Sequence, residues 1–224
     1  MNIKILLEHL GGNLSELHDF LKAQESLITS SIEGKTLIDF IDRNADEYPD
    51  YPALNTPANS EYSAWDSMSW SEYREVSKNL ASGLMSLGLG PGDTAFIMSN
   101  NTKEHNISDI GIVYCGATPS TLYKQLKSEQ IEYVANLMEA KVAIVGDLEL
   151  FEEVNKAKNN CPKLEAIVLI DGYEEKKDLD YVYSFDGLIS KGKEINDKDS
   201  SKLDSAISTI TPDTLACLIF TSGT

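Results

Sequence analysis

Hydrophobic positions recur along the chain in two rhythms, helical before residue 92 and alternating strand and helix after it. Leu37, Phe40 and Ile41 share one helical face that ends near Tyr48-Pro49, where proline removes the donor a helix needs. Extended stretches follow at Pro52-Ala53-Leu54 and around Trp65, Met68 and Trp70. Ser69 and Glu72 carry the S-x-x-E spacing of a capping box, so a helix is predicted from near Trp70 through Tyr73, Val76, Leu80, Leu84 and Leu87. Gly88, Gly90, Pro91 and Gly92 stop it.

Beyond that stop the pattern predicts strand 95–98 (AFIM), a helix over 102–115, an extended segment 118–123, a helix over 128–139 and strand 142–145 (VAIV). A helix over 148–158, strand 166–170 (AIVLI), a weakly patterned polar stretch to about 211 and an apolar strand run at 215–220 (LACLIF) complete the series. The polar segment 197–205 (DKDSSKLDS) reads as a surface loop. Short apolar, β-branched runs bounded by helices are what a parallel sheet covered on both faces requires, so the expected fold is doubly wound α/β, a parallel-rich sheet flanked by helices. The first 35 residues read as a helical extension, with Leu14, Leu17 and Leu21 at helical spacing beside Phe20 and a stop at Gly34. One or two short amphipathic helices are expected there. Glu16, Asp19 and Glu25 do not make the basic polar face of a membrane-surface helix, so packing is favoured over peripheral membrane contact.

Charge narrows the functions. The 224 residues carry 19 Lys plus Arg against 36 Asp plus Glu, a formal charge of −17, which disfavours a nucleic-acid partner. No apolar run approaches the roughly 20 residues of a membrane-spanning helix. Cys115, Cys161 and Cys217 are odd in number and lack metal-ligand spacing, so reduced thiols and a cytoplasmic location are expected. His9, His18 and His105 share no ligand spacing either. His105 is expected to pack at a helix start, Glu104 and Asp109 to be solvated helix positions, and Trp65, Trp70 and Tyr73 to pack as a core corner rather than a stacking platform.

One element suggests chemistry: Thr221-Ser222-Gly223-Thr224, directly after the apolar run. Glycine permits close backbone approach, and hydroxyls with freed N–H groups at a strand's carboxyl end suit phosphate. The spacing is not that of a Walker A loop, and 88–94 (GLGPGDT) is a helix stop and turn rather than a dinucleotide fingerprint.

TLIDFIDRNADEYPDYPAL, MSWSEYREVSKNLASGLMSLGLGPGDTAFIMSNN, EHNISDIGIVYCGATPSTLY, QIEYVANLMEAKVAIV and PDTLACLIFTSGT occur in the order seen in AMP-forming acyl-CoA synthetases. The chain resembles that family from about Thr36 to Thr224, most closely its long-chain fatty acid branch within the adenylate-forming superfamily. The resemblance implies residues 36–224 as the first half of a large AMP-binding N-terminal domain, with 1–35 an added extension. It implies ATP, Mg²⁺ and CoA as cofactors and a fatty acid as substrate. Thr221, Ser222, Gly223 and Thr224 match the start of the family's phosphate loop and would contact ATP phosphates, with Thr221 a Mg²⁺ ligand through its hydroxyl. The rest of that loop, the adenine-binding segment, the acidic Mg²⁺ partner, the ribose-binding aspartate and the C-terminal lysine are absent, so no catalytic residue is assigned. A fragment inactive alone is expected. The alternatives are a superfamily ligase for another carboxylate and a truncated, non-catalytic α/β interaction module.

Overall fold

The computed structural model describes residues 14–59, 61 and 63–221. The chain divides into two compact units, residues 1–36 and 37–224. Among the described residues of the first, helix α1 (Leu14–Ile32) falls within the expected helical extension, and Leu21, Leu27, Ile28 and Ile32 on it are exposed.

The second unit opens with α2 (Leu37–Glu47), whose Ile38, Ile41 and Ala45 are buried. A two-stranded antiparallel ribbon follows, β1 (Pro52–Pro57) against β2 (Trp65–Ser69). The helix α3 (Trp70–Met85) then starts where the capping box sets it: the Ser69 hydroxyl accepts from the Glu72 amide, and Glu72 accepts from the Ser69 amide at 2.8 Å. Gly88 and Gly92 sit at φ of 93° and 84°, a region that costs most other residues energy, and they turn the chain into the sheet.

The sheet is built from β3 (Thr94–Met98), β4 (Thr118–Thr121), β5 (Val142–Val145), β6 (Ala166–Leu169) and β7 (Val182–Ser184). Its strand order is β4-β3-β5-β6-β7 and every pairing is parallel. Between the strands run α4 (Lys103–Tyr114), α5 (Ser128–Leu137) and α6 (Leu148–Lys158). After β7 come α7 (Phe185–Lys198) and α8 (Ser201–Ser208).

Alternation along each strand splits the core in two. Ile97, Val142, Ile144 and Val168 face the layer of α2, α3, α4, α7 and α8, whereas Phe96, Met98, Ala143, Val145 and Leu169 face α5 and α6. With both faces covered, all four residues of β5 and of β6 are buried, which is why those strands read as unbroken apolar runs.

The polar stretch before residue 211 departs from expectation. It holds β7, α7 and α8, and the segment read as a loop is the end of one helix and the start of the next. The face α7 turns to α3 carries Gly192 and Asn196 as well as Phe185 and Leu188. A Cβ on Gly192 would lie 1.7 Å from the Asn79 carbonyl oxygen, and one on Gly83 would lie 2.3 Å from that of Leu188. The helices touch backbone to backbone, and Asn196 bonds both Ser82 at 2.6 Å and Asn79 at 2.9 Å across the contact. Trp65 departs as well, being exposed at the start of β2, while Tyr73 is buried with its hydroxyl donating to the Asn106 carbonyl.

Candidate functional site

In a parallel sheet the loops after the strands share one edge, and a crevice opens where successive connections leave in opposite directions. Here the chain leaves β3 for β4 on one side and returns across it to β5 on the other. Ser99 and Asn100 after β3, Gly146 and Asp147 after β5, Ile170 and Asp171 after β6, and Phe185 and Asp186 after β7 meet at that point. With Thr102 and Glu104 of the α4 start they line a cavity of about 220 Å³. Gly146 lies close against Ser99, where a Cβ would stand 3.1 Å from its Cα and Cβ.

The cavity is acidic. The starts of α4, α6 and α7 point their partial positive ends toward it, but each already carries its own carboxylate, Glu104, Asp147 and Asp186. Asp147 also accepts from the Leu150 amide at 3.0 Å as the cap of α6. Such a lining repels an anion, and the volume is below that of ordinary ligand pockets, which begin near roughly 300 Å³. No group of three or more His, Cys, Asp or Glu among the described residues could hold a metal ion.

Beside the cavity, His105 bridges two strand ends. Its Nδ1 lies 2.9 Å from the Ser99 hydroxyl and its Nε2 lies 3.2 Å from the Thr121 hydroxyl, so the first turn of α4 is bonded to the ends of both β3 and β4. The Ser99 hydroxyl also lies 3.1 Å from the Asn100 carbonyl, to which it can donate. Burial holds the imidazole below its ordinary value, with Asp109 pulling the other way. Asp109 is half-buried rather than solvated, and burial raises its carboxyl against the pull of His105. A second link joins the same loops, the Lys124 ammonium donating to the Asn100 side-chain carbonyl.

The hydroxyl-rich segment approaches this edge from the far side of β4. Residues 215–220 form no regular strand: a single parallel bridge pairs Leu218 with Ser120. The Leu218 amide donates to the Pro119 carbonyl at 2.9 Å, the Ser120 hydroxyl to the Leu218 carbonyl at 2.9 Å, and the Thr118 hydroxyl to the Leu215 carbonyl at 3.2 Å. Leu218 and Phe220 pack on the core, whereas Leu215, Cys217 and Ile219 are exposed, so the run is an edge with one neighbour among the described residues. Because the bridge is parallel, the chain beyond Leu218 runs toward the carboxyl edge of the sheet, and Thr221 comes out there, exposed. Ser222, Gly223 and Thr224 lie outside the described residues.

Sequence reasoning singled out the Thr221 segment but not the cavity, whose lining comes one or two residues at a time from separate loops. A polar residue one or two positions after each apolar run was the available signal. No described helix is long and apolar enough to cross a membrane.

Known proteins resemble this chain in sequence and in fold. The chain is 29% identical over 196 residues to the long-chain-fatty-acid–CoA ligase ACSBG2 of Xenopus laevis, covering 87% of this chain and 25% of that protein. It is 30% identical over 145 residues to the uncharacterized protein Rv1549 of Mycobacterium tuberculosis, covering 65% of this chain and 78% of that one. The solved structure of a long-chain-fatty-acid-CoA ligase from Archaeoglobus fulgidus superposes with a TM-score of 0.66 over 83% of this chain and 34% of its own, at 21% identity, a likeness of fold. The chain thus spans about a quarter of the length of the curated ligase it matches. Residues 41–224 match the family model described as AMP-binding enzyme, the greater part of the chain, and the protein belongs to that family.

Proposed function

We propose that this chain is the N-terminal part of an ATP-dependent, AMP-forming ligase acting on a fatty acid. In the first step a carboxylate oxygen attacks the α-phosphorus of ATP and pyrophosphate leaves, giving the acyl-adenylate. In the second the thiolate of CoA attacks the acyl carbon, AMP leaves with the bonding electron pair, and the thiol proton goes to solvent. The substrate class rests on the ligase relatives, and residues 1–35, with the helix Leu14–Ile32, would be an extension added to residues 36–224.

The observation that supports this reading is the course of residues 215–221, whose parallel bridge to β4 runs them toward the sheet's carboxyl edge, where ligands of open α/β sheets bind. Thr221, Ser222, Gly223 and Thr224 would meet the outgoing phosphates there. Hydroxyl and backbone N–H donors are neutral, which suits a polyanion beside an acidic cavity better than a site inside it. Thr221 would give one hydroxyl oxygen to Mg²⁺, an ion ordinarily completed by phosphate oxygens and water. That ion neutralises phosphate charge when bound. The 224 residues by themselves would not turn over.

Fatty-acid-dependent exchange of pyrophosphate into ATP by the full-length protein tests the reading, and no exchange with any carboxylate overturns it. Thr221→Ala is expected to lower the exchange rate about tenfold to a hundredfold. Unchanged MgATP affinity and rate in that variant would remove Thr221 from the site. A second reading, a non-catalytic α/β interaction module, draws on the Mycobacterium tuberculosis relative, 78% of which the chain covers. A folded protein that binds no nucleotide would favour it.

A further inference from the structure

We propose that His105 is a positioning residue for the segment that carries Thr221, acting through the end of β4. Hydrogen bonds tie the segment to β4 at Thr118, Pro119 and Ser120, so its place depends on that of β4. β4 is itself held on its other side by β3, in a ladder whose last pair is Ile97 with Thr121. At that last pair the imidazole adds a side-chain tie: one nitrogen on Thr121, the other on Ser99 at the end of β3. A short parallel ladder closed at its carboxyl end by one planar, two-ended group is less free to splay than the ladder alone.

The ring suits that task because it is rigid and reaches both hydroxyls at once, and burial favours its neutral form, in which one nitrogen donates and the other accepts. The charged group that acts on the ring is Asp109 on α4, while Lys103 is paired with Asp66 of β2 and Lys124 of the loop after β4 is bonded to Asn100. The Ser99 hydroxyl beside the ring already has a structural partner in the Asn100 carbonyl. The inference rests on the proposed phosphate role of the Thr221 segment only for its effect on catalysis; the mechanical coupling stands apart from it.

Three variants of the full-length protein separate the two bonds. Asparagine can imitate Nδ1 and keep the Ser99 link, glutamine can imitate Nε2 and keep the Thr121 link, and phenylalanine fills the space with neither. Amide hydrogen exchange over 215–221 is the first readout, with α6 as internal reference and thermal unfolding to verify folding. His105→Phe should speed exchange at Leu218 about tenfold, and His105→Asn and His105→Gln, each of which keeps one of the two bonds, should fall between it and the unmodified protein. Thr121→Val should match the Asn variant and add nothing to the Phe variant in the double variant. Equal protection at Leu218 in all variants would overturn the proposal. The second readout is pyrophosphate exchange, where kcat/KM for ATP should fall about tenfold in the Phe variant and recover in part in the Gln variant. If the unmodified protein shows no such activity, the proposed function fails while hydrogen exchange still decides the role of His105.

Discussion

Gly192→Ala should be among the most damaging single methyl additions in this chain. The new Cβ would stand 1.7 Å from the Asn79 carbonyl oxygen and 2.8 Å from the Gly83 amide, whereas real Cβ contacts stay beyond 3.0 Å. Both neighbours are helix backbone, so α7 must lift off α3 by roughly 1.3 Å, the gap between those two distances. That shift carries Asn196, one turn further along α7, out of reach of Ser82 and Asn79, to which it is bonded at 2.6 and 2.9 Å. Ser82 and Asn79 are 4% and 7% exposed, so water does not replace the lost bonds at no cost. Each stranded buried group costs about 1–3 kcal/mol, and the alanine returns about 1 kcal/mol of helix propensity. With two such groups the net loss is about 1–5 kcal/mol, or roughly 2–20 °C in Tm for a domain of this size. Urea and thermal unfolding followed by circular dichroism measure it. Gly187→Ala in the same helix is the control, since its Cβ would meet only the Ser184 side chain, at 3.1 Å. Gly83→Ala, at 2.3 Å from the Leu188 carbonyl oxygen, should fall between the two. If Gly192→Ala unfolds within about 0.5 kcal/mol of the control, the helices are not in backbone contact and the packing argument is wrong.

Glu139, just past α5, is the sole described residue other than glycine with positive φ, at 52°, and Glu139→Gly should stabilise the chain by about 0.5–1 kcal/mol in the same unfolding assay. His105 and Asp109 set opposite pH slopes. Burial lowers the folded histidine's value, so the unfolded chain takes up the proton first, and the stability His105 contributes is full above about 6.5 and lost as pH falls through its folded value. Burial raises Asp109, so its cost appears as pH rises from the ordinary carboxylate value through the raised one; Asp109→Asn should raise the urea midpoint at pH 7, and an unchanged midpoint would refute its desolvation. Of the three cysteines, Cys217 alone is exposed, while burial pushes the Cys115 and Cys161 thiols up. A disulfide reagent should therefore titrate one thiol per native 224-residue chain and all three in urea.

The parts of the fold legible in the sequence are those where one physical term dominates. Residues 95–98, 142–145 and 166–169 are buried on both faces, so burial alone dictates their composition and the runs stand out. The start of α3 was equally legible, because a capping box is a local device that needs nothing from elsewhere in the chain. α7 was not, since the face it turns to α3 is Phe185, Leu188, Gly192 and Asn196, and only the first two are apolar. Close approach there demands the absence of a side chain and a polar network beside it, and both read in sequence as a break. The run at 215–220 failed in the opposite sense: its composition is that of a buried strand, but a strand forms between neighbours, and here one bridge on one side is all that the described residues supply.

The same distinction explains the site. Thr221 could be singled out because hydroxyls and a glycine after an apolar run are a local signature, whereas the cavity is a product of strand order. Ser99, Gly146, Asp171 and Asp186 are spread over nearly ninety residues and meet because the chain passes from β3 to β4 and back across to β5. No residue in that list is unusual for its loop, so no periodicity could have chosen them. His105 shows the limit most clearly. Its sequence neighbours Glu104 and Asn106 describe an ordinary helix start, and packing there is what the residue does. What makes it more than packing is that two strand ends, twenty-two residues apart in sequence at Ser99 and Thr121, come within one imidazole's reach of each other. A residue that acts by bridging has no signature until both ends of the bridge are in place.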